Sequence, residues 1–196
     1  MVDCTGARMR TSVCSHRHDT IEKMGDRRDE HRQEGGLQVS TVSDDSGAVA
    51  ALKALEDIRQ LKFRYFRILD RGPRDELSDV LSDGIVCDLG DYGRYEGKTA
   101  VLDFFQTAVF PTYEMTVHTA HNPEITLLDD SRAEGTWVYE AYLLTGSSAA
   151  TWLAGYYDDE YMVEDGSWRI SSMTPTYFFN SDLSKDWIRA FGALGK

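Results

Sequence analysis

Asp70 and His118 are the two residues of this sequence whose types and surroundings best suit chemistry. Asp70 closes a strongly patterned apolar stretch just before a Gly-Pro break. His118 follows 48 residues later, within a run of β-branched and small residues typical of a half-buried strand with one polar inward position. A carboxylate that accepts a hydrogen bond from one imidazole nitrogen orients the ring and stabilises its protonated form. We therefore expect the fold to join Asp70 and His118 as the chemical centre; the alternatives are a structural ion pair and solvent-facing residues.

Tyr65 and a set of aromatic residues are the further candidates for the site. Tyr65 precedes Asp70 by five positions, so the two share a helix face only approximately, and its phenol can donate a proton to a carbonyl or a leaving hydroxyl. Other aromatic residues suit the walls of a pocket for an apolar, ring-shaped ligand, the alternative for each being core or interface packing. These candidate substrate-binding residues are Tyr92, Tyr113, Trp137, Tyr139, Trp152, Tyr156 and Tyr177.

The helices that must position Asp70 come early in the chain. Apolar residues recur at three- and four-residue steps from Leu52 to Leu69, which predicts one amphipathic helix over about 47–70 that Gly72-Pro73 ends. A short second helix is expected through Leu77 and Leu81, followed by a strand at 85–89. Thr99 is expected to cap a third helix that Pro111 stops.

From Met115 onward the apolar residues alternate with period two, and turn signals separate the runs. The pattern predicts strands at 116–128, 132–144, 151–163 and 167–178, then a last helix at 183–194. On this pattern His121 has the opposite parity from His118 and is expected to face outward or toward a partner chain. Helices followed by a long antiparallel meander predict an α+β domain whose curved sheet wraps around the first helices.

Length and charge predict one domain with a tail. The first 43 residues are polar and carry seven basic and seven acidic residues of the totals of 21 and 33, which leaves 14 and 26 for the rest. We expect 1–43 to be a disordered tail and 44–196 to be the folded domain. Because the whole net charge of −12 then falls on the domain, a nucleic-acid partner is not expected.

The cysteines and the hydropathy point to a cytoplasmic protein. Cys4, Cys14 and Cys87 form an odd, widely spaced set, so a disulfide framework is not expected and a reducing compartment is. No window is apolar enough to span a bilayer, and the N-terminus lacks the apolar core of a signal peptide. No metal or organic cofactor is expected, because one histidine faces inward and no Cys, His and carboxylate cluster accompanies it.

The order of these motifs resembles the SnoaL-like branch of the nuclear-transport-factor-2-like superfamily over nearly all of 48–180. The resemblance rests on four groups of residues: Ile58, Leu61, Tyr65 and Asp70; Gly97-Lys98-Thr99-Ala100; Pro111, Thr116-Val117-His118 and Asn122; and Gly155-Tyr156-Tyr157, Tyr161 and Asp165-Gly166-Ser167-Trp168-Arg169-Ile170. It implies a cone whose helices and curved sheet enclose a deep apolar pocket.

Within this branch the sequence is most similar to the cofactor-independent lyases, the families of hexachlorocyclohexane dehydrochlorinase, bile-acid dehydratase and scytalone dehydratase. The resemblance implies a His–Asp dyad formed by His118 and Asp70, and it places Tyr65 at the position of a catalytic tyrosine. The late-strand arginine of the dehydrochlorinase and bile-acid dehydratase families has no clear counterpart near Ser172-Met173-Thr174, and the second aspartate of the bile-acid dehydratase family falls near Ala141. The group that stabilises the leaving group therefore stays open.

Three functions remain after this reasoning. The first is a lyase, most plausibly a dehydratase, that acts on an apolar cyclic small molecule by β-elimination. The second is an isomerase or cyclase that uses the same base to form an enol, and the third is a non-catalytic ligand-binding or assembly module. The resemblance also implies a dimer or trimer that forms through the exposed side of the sheet, and four aromatic residues exceed what one cavity can hold, namely Trp137, Tyr139, Tyr157 and Tyr161.

Overall fold

The fold of this computed structural model places helices first and most of the sheet after them. The structure describes residues 45–146 and 149–183. The tail predicted at 1–43 and, apart from Leu183, the helix predicted at 183–194 lie outside the described residues. None of the described helices is long and apolar enough to cross a membrane.

Helix α1 spans Asp45–Arg71 and packs one apolar face against the sheet. The sequence pattern predicts that the buried face begins at Leu52. In the structure Leu52 is 66% exposed, and the buried face begins near Ile58. The helix ends where the Gly72 amide donates to the Ile68 carbonyl oxygen at 2.9 Å, with Gly72 at a φ of +70°. This left-handed glycine closes the last turn and reverses the chain.

The segment after α1 contains short elements. A 3₁₀ turn, Arg74–Glu76, leads into α2, Leu77–Val80, and strand β1, Leu81–Asp88, follows directly. The predicted second helix was wrong to include Leu81, which pairs with Ile170 in the last strand of the chain. A turn at Gly90–Tyr92 then precedes the short strand β2, Arg94–Glu96.

The third helical region changes its winding along its length. It begins as α3, Lys98–Phe104, continues as a π-helical turn, Phe105–Val109, and ends as α4, Phe110–Thr112. Gly97 is the N-cap residue of α3, whereas the sequence predicted Thr99 as the cap. Pro111 lies in α4, and the helical region ends one residue after it, at Thr112, within one residue of the predicted stop.

Six strands form one open, mixed sheet in the order β2-β1-β6-β5-β4-β3. Strand β1 pairs with β6 in parallel, and the other neighbours are antiparallel. The β5–β6 hairpin turns at Asp165-Gly166, both with positive φ, which is the geometry that such a tight hairpin requires. The four long strands are β3, Tyr113–Leu127; β4, Arg132–Thr145; β5, Ala150–Glu164; and β6, Ser167–Asp182.

One face of this sheet packs on α1 and forms the core. Trp137 and Tyr139 of β4 and Tyr157 and Tyr161 of β5 all point to this face and are buried. These residues were expected in part at an outer oligomer interface, and that assignment was wrong because the core is deep enough to hold all four. The predicted α+β class with a pocket between helices and sheet is confirmed. The predicted dimer or trimer stays a prediction.

Candidate active site

Asp70 and His118 meet where the end of α1 contacts β3. Asp70 Oδ1 lies 2.6 Å from Nδ1 of His118, and Asp70 Oδ2 accepts the backbone amide of His118 at 2.9 Å. Because the carboxylate is the acceptor, Nδ1 carries the proton of the neutral ring. Nε2 has no hydrogen-bond partner among the described residues. This arrangement leaves Nε2 as the nitrogen available to a ligand.

Two neighbours hold this pair in place, and sequence reasoning identified neither of them. The Thr116 hydroxyl lies 2.8 Å from Asp70 Oδ1 and 3.2 Å from the Leu69 carbonyl oxygen, which ties β3 to the end of α1. Phe66 stacks on the imidazole with ring centroids 5.1 Å apart. Simple spacing could have indicated both residues, because Thr116 shares the strand face of His118 and Phe66 lies one helical turn before Asp70.

A cavity of about 210 Å³ opens beside the pair. His118, Asp70 and Tyr65 belong to its wall, together with apolar side chains from α3, α4 and the inner sheet face. Apolar cavities of roughly 150 Å³ hold a benzene ring, so this one is large enough for a ligand with one or two rings. Its apolar wall favours such a ligand over a highly polar one.

Four of the seven predicted substrate-binding aromatic residues line the cavity, namely Tyr92, Tyr113, Tyr139 and Tyr177. Tyr139 and Tyr177 contact each other edge to face at 6.5 Å. Burial raises the pKa of Tyr177 to about 12 and that of Tyr139 further. Both phenols therefore stay protonated at neutral pH. The hydrogen bond between them raises the pKa of Tyr139 and lowers that of Tyr177, so Tyr139 is its donor and the Tyr177 hydroxyl hydrogen is the one available to a ligand.

The other three predicted substrate-binding residues, Trp137, Trp152 and Tyr156, do not line the cavity. Trp137 faces inward but is packed below it, where its indole donates to the Tyr161 hydroxyl at 2.8 Å. Trp152 and Tyr156 have the opposite strand parity from Leu153 and Tyr157 and lie on the outer face. Since β5 carries aromatic residues at both parities, its sequence pattern did not determine which set faces inward.

Tyr65 is buried in the core and is one of the residues that line the cavity. Burial raises its pKa well above the usual range, Cys87 and Asp159 raise it further, and a side-chain hydrogen bond with Tyr157 lowers it in part. The phenol is thus protonated at neutral pH. Tyr157 also lines the cavity, although it was not among the predicted substrate-binding residues.

A buried ion pair lies behind this wall, and the sequence reasoning missed it. Lys62 Nζ is 2.6 Å from Asp159 Oδ2, and both side chains are fully buried. Tyr161 donates to the same carboxylate oxygen at 2.7 Å, and the ammonium lies 3.7 Å from the centroid of the Tyr157 ring. Burial lowers the pKa of Lys62 and raises that of Asp159, while each partner opposes the shift of the other. A lysine within the apolar stripe of α1 was the signal that could have revealed this pair.

The described residues contain no group of three or more His, Cys, Asp or Glu side chains placed to hold a metal ion.

Cys87 is a buried free thiol in β1, and burial raises its pKa to about 12. His121, as predicted, is exposed on the outer face of β3. The polar groups that line the cavity are the His118 imidazole, the carboxylates of Asp70 and Glu114, the Arg74 guanidinium and several phenols.

Comparisons with known proteins assign the chain to a family. A model of the SnoaL-like domain matches residues 50–174. The chain therefore belongs to the SnoaL-like family, within the NTF2-like fold.

Solved structures with the same fold include enzymes of elimination chemistry. A hexachlorocyclohexane dehydrochlorinase from Novosphingobium barchaimii aligns with a TM-score of 0.65 and 18% identity, covering 70% of this chain and 94% of that chain. A proposed scytalone dehydratase from Novosphingobium aromaticivorans aligns with a TM-score of 0.62 and 19% identity, covering 70% and 92%. A proposed dehydratase of the NTF2-like family from Streptomyces avermitilis aligns with a TM-score of 0.57 and 11% identity, covering 65% and 98%. At these identities the similarity shows the fold.

Proposed function

We propose that this protein is a cofactor-independent lyase that performs β-elimination on an apolar cyclic small molecule. The observation that carries the proposal is the 2.6 Å contact between His118 Nδ1 and Asp70 Oδ1 at the wall of an apolar cavity, with Nε2 left without a described partner. Dehydration is the favoured form of the reaction, because the cavity also contains protonated phenols that can serve a departing hydroxyl.

The reaction begins when His118 Nε2 removes a proton from a carbon next to the carbon that bears the leaving group. The electron pair of the broken C–H bond forms the new double bond, and the bond to the leaving group breaks with its electrons on that group. For a hydroxyl leaving group, the phenol of Tyr65 hydrogen-bonds to the oxygen and supplies a proton, so that water departs. The imidazolium then returns a proton to the phenolate, directly or through water, and both groups are restored.

Asp70 is the orienting group in this proposal. Its carboxylate holds the imidazole in the tautomer with Nδ1 protonated, and it stabilises the imidazolium that proton removal creates. The Thr116 hydroxyl and the His118 amide fix the carboxylate itself, so little reorganisation accompanies proton transfer.

The substrate class follows from the wall of the cavity. Aromatic and aliphatic side chains surround the dyad, and the volume of about 210 Å³ suits one or two rings. The names of the structural neighbours, a hexachlorocyclohexane dehydrochlorinase and a proposed scytalone dehydratase, support cyclic substrates with a leaving group β to a removable proton.

The test uses a panel of cyclic compounds that begins with hexachlorocyclohexane, assayed by chloride release, and scytalone, assayed by dehydration. For any compound that the parent protein converts, His118→Ala and Asp70→Asn are expected to lower kcat by about 10²–10⁴-fold, the usual contribution of general base catalysis. Binding of the same compound, measured by calorimetry, should change little, because neither substitution removes an apolar wall.

His121→Ala is the matched control, because His121 is exposed on the outer face of the same strand. It should leave kcat unchanged. Conversion by His118→Ala at the parent rate would exclude the dyad mechanism. A parent protein that rearranges a compound without releasing a group would favour the isomerase or cyclase, and one that binds the panel but converts none of it would favour a binding module.

A further inference from the structure

Arg74 places a cationic side chain at the wall of the cavity. The reversal of the chain at Gly72 starts the 3₁₀ turn with Arg74, and the residue lines the cavity. Its guanidinium lies 4.5 Å from the ring centroid of Phe110, a buried residue of the same wall. Stacking of this kind holds the guanidinium in place and leaves its N–H groups free to bind oxygen atoms.

Arg74 has no carboxylate within ion-pair distance among residues 45–146 and 149–183. Other cationic side chains in this part of the chain mostly have one, as Arg64 does with Glu76 at 3.0 Å and Arg94 with Glu96 at 3.0 Å. The chain carries 33 acidic residues against 21 basic ones. In such an acidic chain, an arginine held by an aromatic ring instead of a carboxylate is available to a ligand.

Two acidic residues also line the cavity, and they limit what Arg74 can attract. Asp70 is engaged by His118 and Thr116. Glu114 is exposed and has no ion pair with Arg74. Because Glu114 repels anions, the cavity favours a ligand with a single negative charge over a dianion such as a phosphate monoester.

We propose that Arg74 is an anion-binding residue of the cavity, and that the ligand is an apolar ring compound bearing a carboxylate. The planar guanidinium matches a carboxylate through two parallel hydrogen bonds, while the rings occupy the apolar space toward His118. The inference rests on the proposed function for the identity of the substrate cavity. Its test measures binding alone, so its failure is distinguishable from a failure of the elimination chemistry.

The experiment titrates the full-length protein with 2-naphthoate and with the neutral 2-naphthamide by calorimetry at low ionic strength. Because Arg74 is exposed, the parent protein should bind the carboxylate roughly two- to fivefold more tightly than the amide, the size expected of an ion pair at an exposed side chain. Arg74→Gln should abolish this difference, whereas Glu114→Gln should increase it. 1-Naphthyl phosphate should bind more weakly than 2-naphthoate.

Arg71→Gln is the control, because Arg71 is an exposed arginine three residues away that does not line the cavity. It removes the same charge and should preserve the preference for the carboxylate. Equal affinities for 2-naphthoate and 2-naphthamide in the parent, no binding of 2-naphthoate, or an equal loss in Arg71→Gln and Arg74→Gln would each overturn the proposal. Tighter binding of the phosphate would overturn the assignment of a carboxylate.

Discussion

Asp70 accepts hydrogen bonds from a side-chain hydroxyl, a backbone amide and an imidazole, and this concentration of donors on one carboxylate explains why α1 and β3 meet as they do. The sequence allowed the meeting of Asp70 and His118 to be predicted, because a carboxylate at the end of an apolar stripe and a histidine in a half-buried strand both need partners. Arg74 could not be assigned to the cavity in this way. Its position depends on the turn after α1, and a turn has no periodic signal.

The Lys62–Asp159 pair gives the sharpest prediction for single residues. Asp159→Asn should destabilise the fold by about 3–5 kcal/mol, because it leaves a buried ammonium without its counter-charge. The double variant Lys62→Met/Asp159→Leu should recover most of the loss, since well-packed apolar side chains often replace a buried pair at little cost. Urea unfolding at pH 7 measures the free energy of unfolding of the single and the double variant.

Lys53→Met is the control for this pair, because Lys53 forms an exposed ion pair with Asp57 on the same helix. Its unfolding midpoint should stay close to that of the parent. A midpoint for Asp159→Asn as close to the parent as that of Lys53→Met would contradict the view that the buried charges depend on each other.

Among the elements, β5 and β6 show how closely two strands can approach at a glycine. The register between them shifts at Ala154/Gly155, and a Cβ built on Gly155 would lie 2.0 Å from the Thr176 carbonyl oxygen. Since two backbones meet there, no side-chain movement can relieve the clash. The adjacent Tyr177 lines the cavity, so this approach also positions part of the site.

Gly155→Ala should therefore destabilise the protein by at least the ~1–3 kcal/mol typical of overpacking, and it should weaken ligand binding through Tyr177. Gly84→Ala is the control, because nothing lies within 4 Å of a Cβ at Gly84. Thermal unfolding of the two variants measures the difference. Equal melting temperatures for them would show that the β5–β6 approach is not tight.

The elements themselves were largely predictable, and their arrangement was less so. Period-two patterns and turn residues identified the four long strands to within a few residues. Nothing local predicted that β1 pairs in parallel with β6, because that pairing joins distant segments. The π-helical turn after Phe104 also lacked a signal, since apolar spacing is nearly the same for α and π windings over five residues.

For the whole molecule, the buried phenols predict instability in alkali. Burial raises the pKa values of Tyr65, Tyr139, Tyr157 and Tyr161 well above the usual range, and that of Tyr177 to about 12. An unfolded chain ionises its tyrosines near pH 10. Because the folded pKa values are higher, these groups contribute stability that is present below pH ~10 and is lost as the pH rises further.

Urea unfolding from pH 7 to 11 should show a constant midpoint up to about pH 9 and a steep fall above pH ~10. Phenolate absorbance near 295 nm should rise together with the loss of native circular dichroism, and the chain in concentrated urea supplies the reference titration. Ionisation of all phenols near pH 10 with the native spectrum intact would contradict the prediction, because it would show that burial does not raise the pKa values of these tyrosines.

The place of β6 in the sheet has a consequence for biosynthesis. This strand is the last of the six along the chain, yet it stands between β1 and β5 in the sheet. A nascent chain that has emerged only as far as β5 can assemble the meander of β3, β4 and β5. Strands β1 and β2 cannot yet join this meander, because β6, which lies between β1 and β5, is still missing. The ribosome must therefore release nearly the whole domain before the sheet is continuous, and the joining contacts are among the most distant in sequence, which slows their formation.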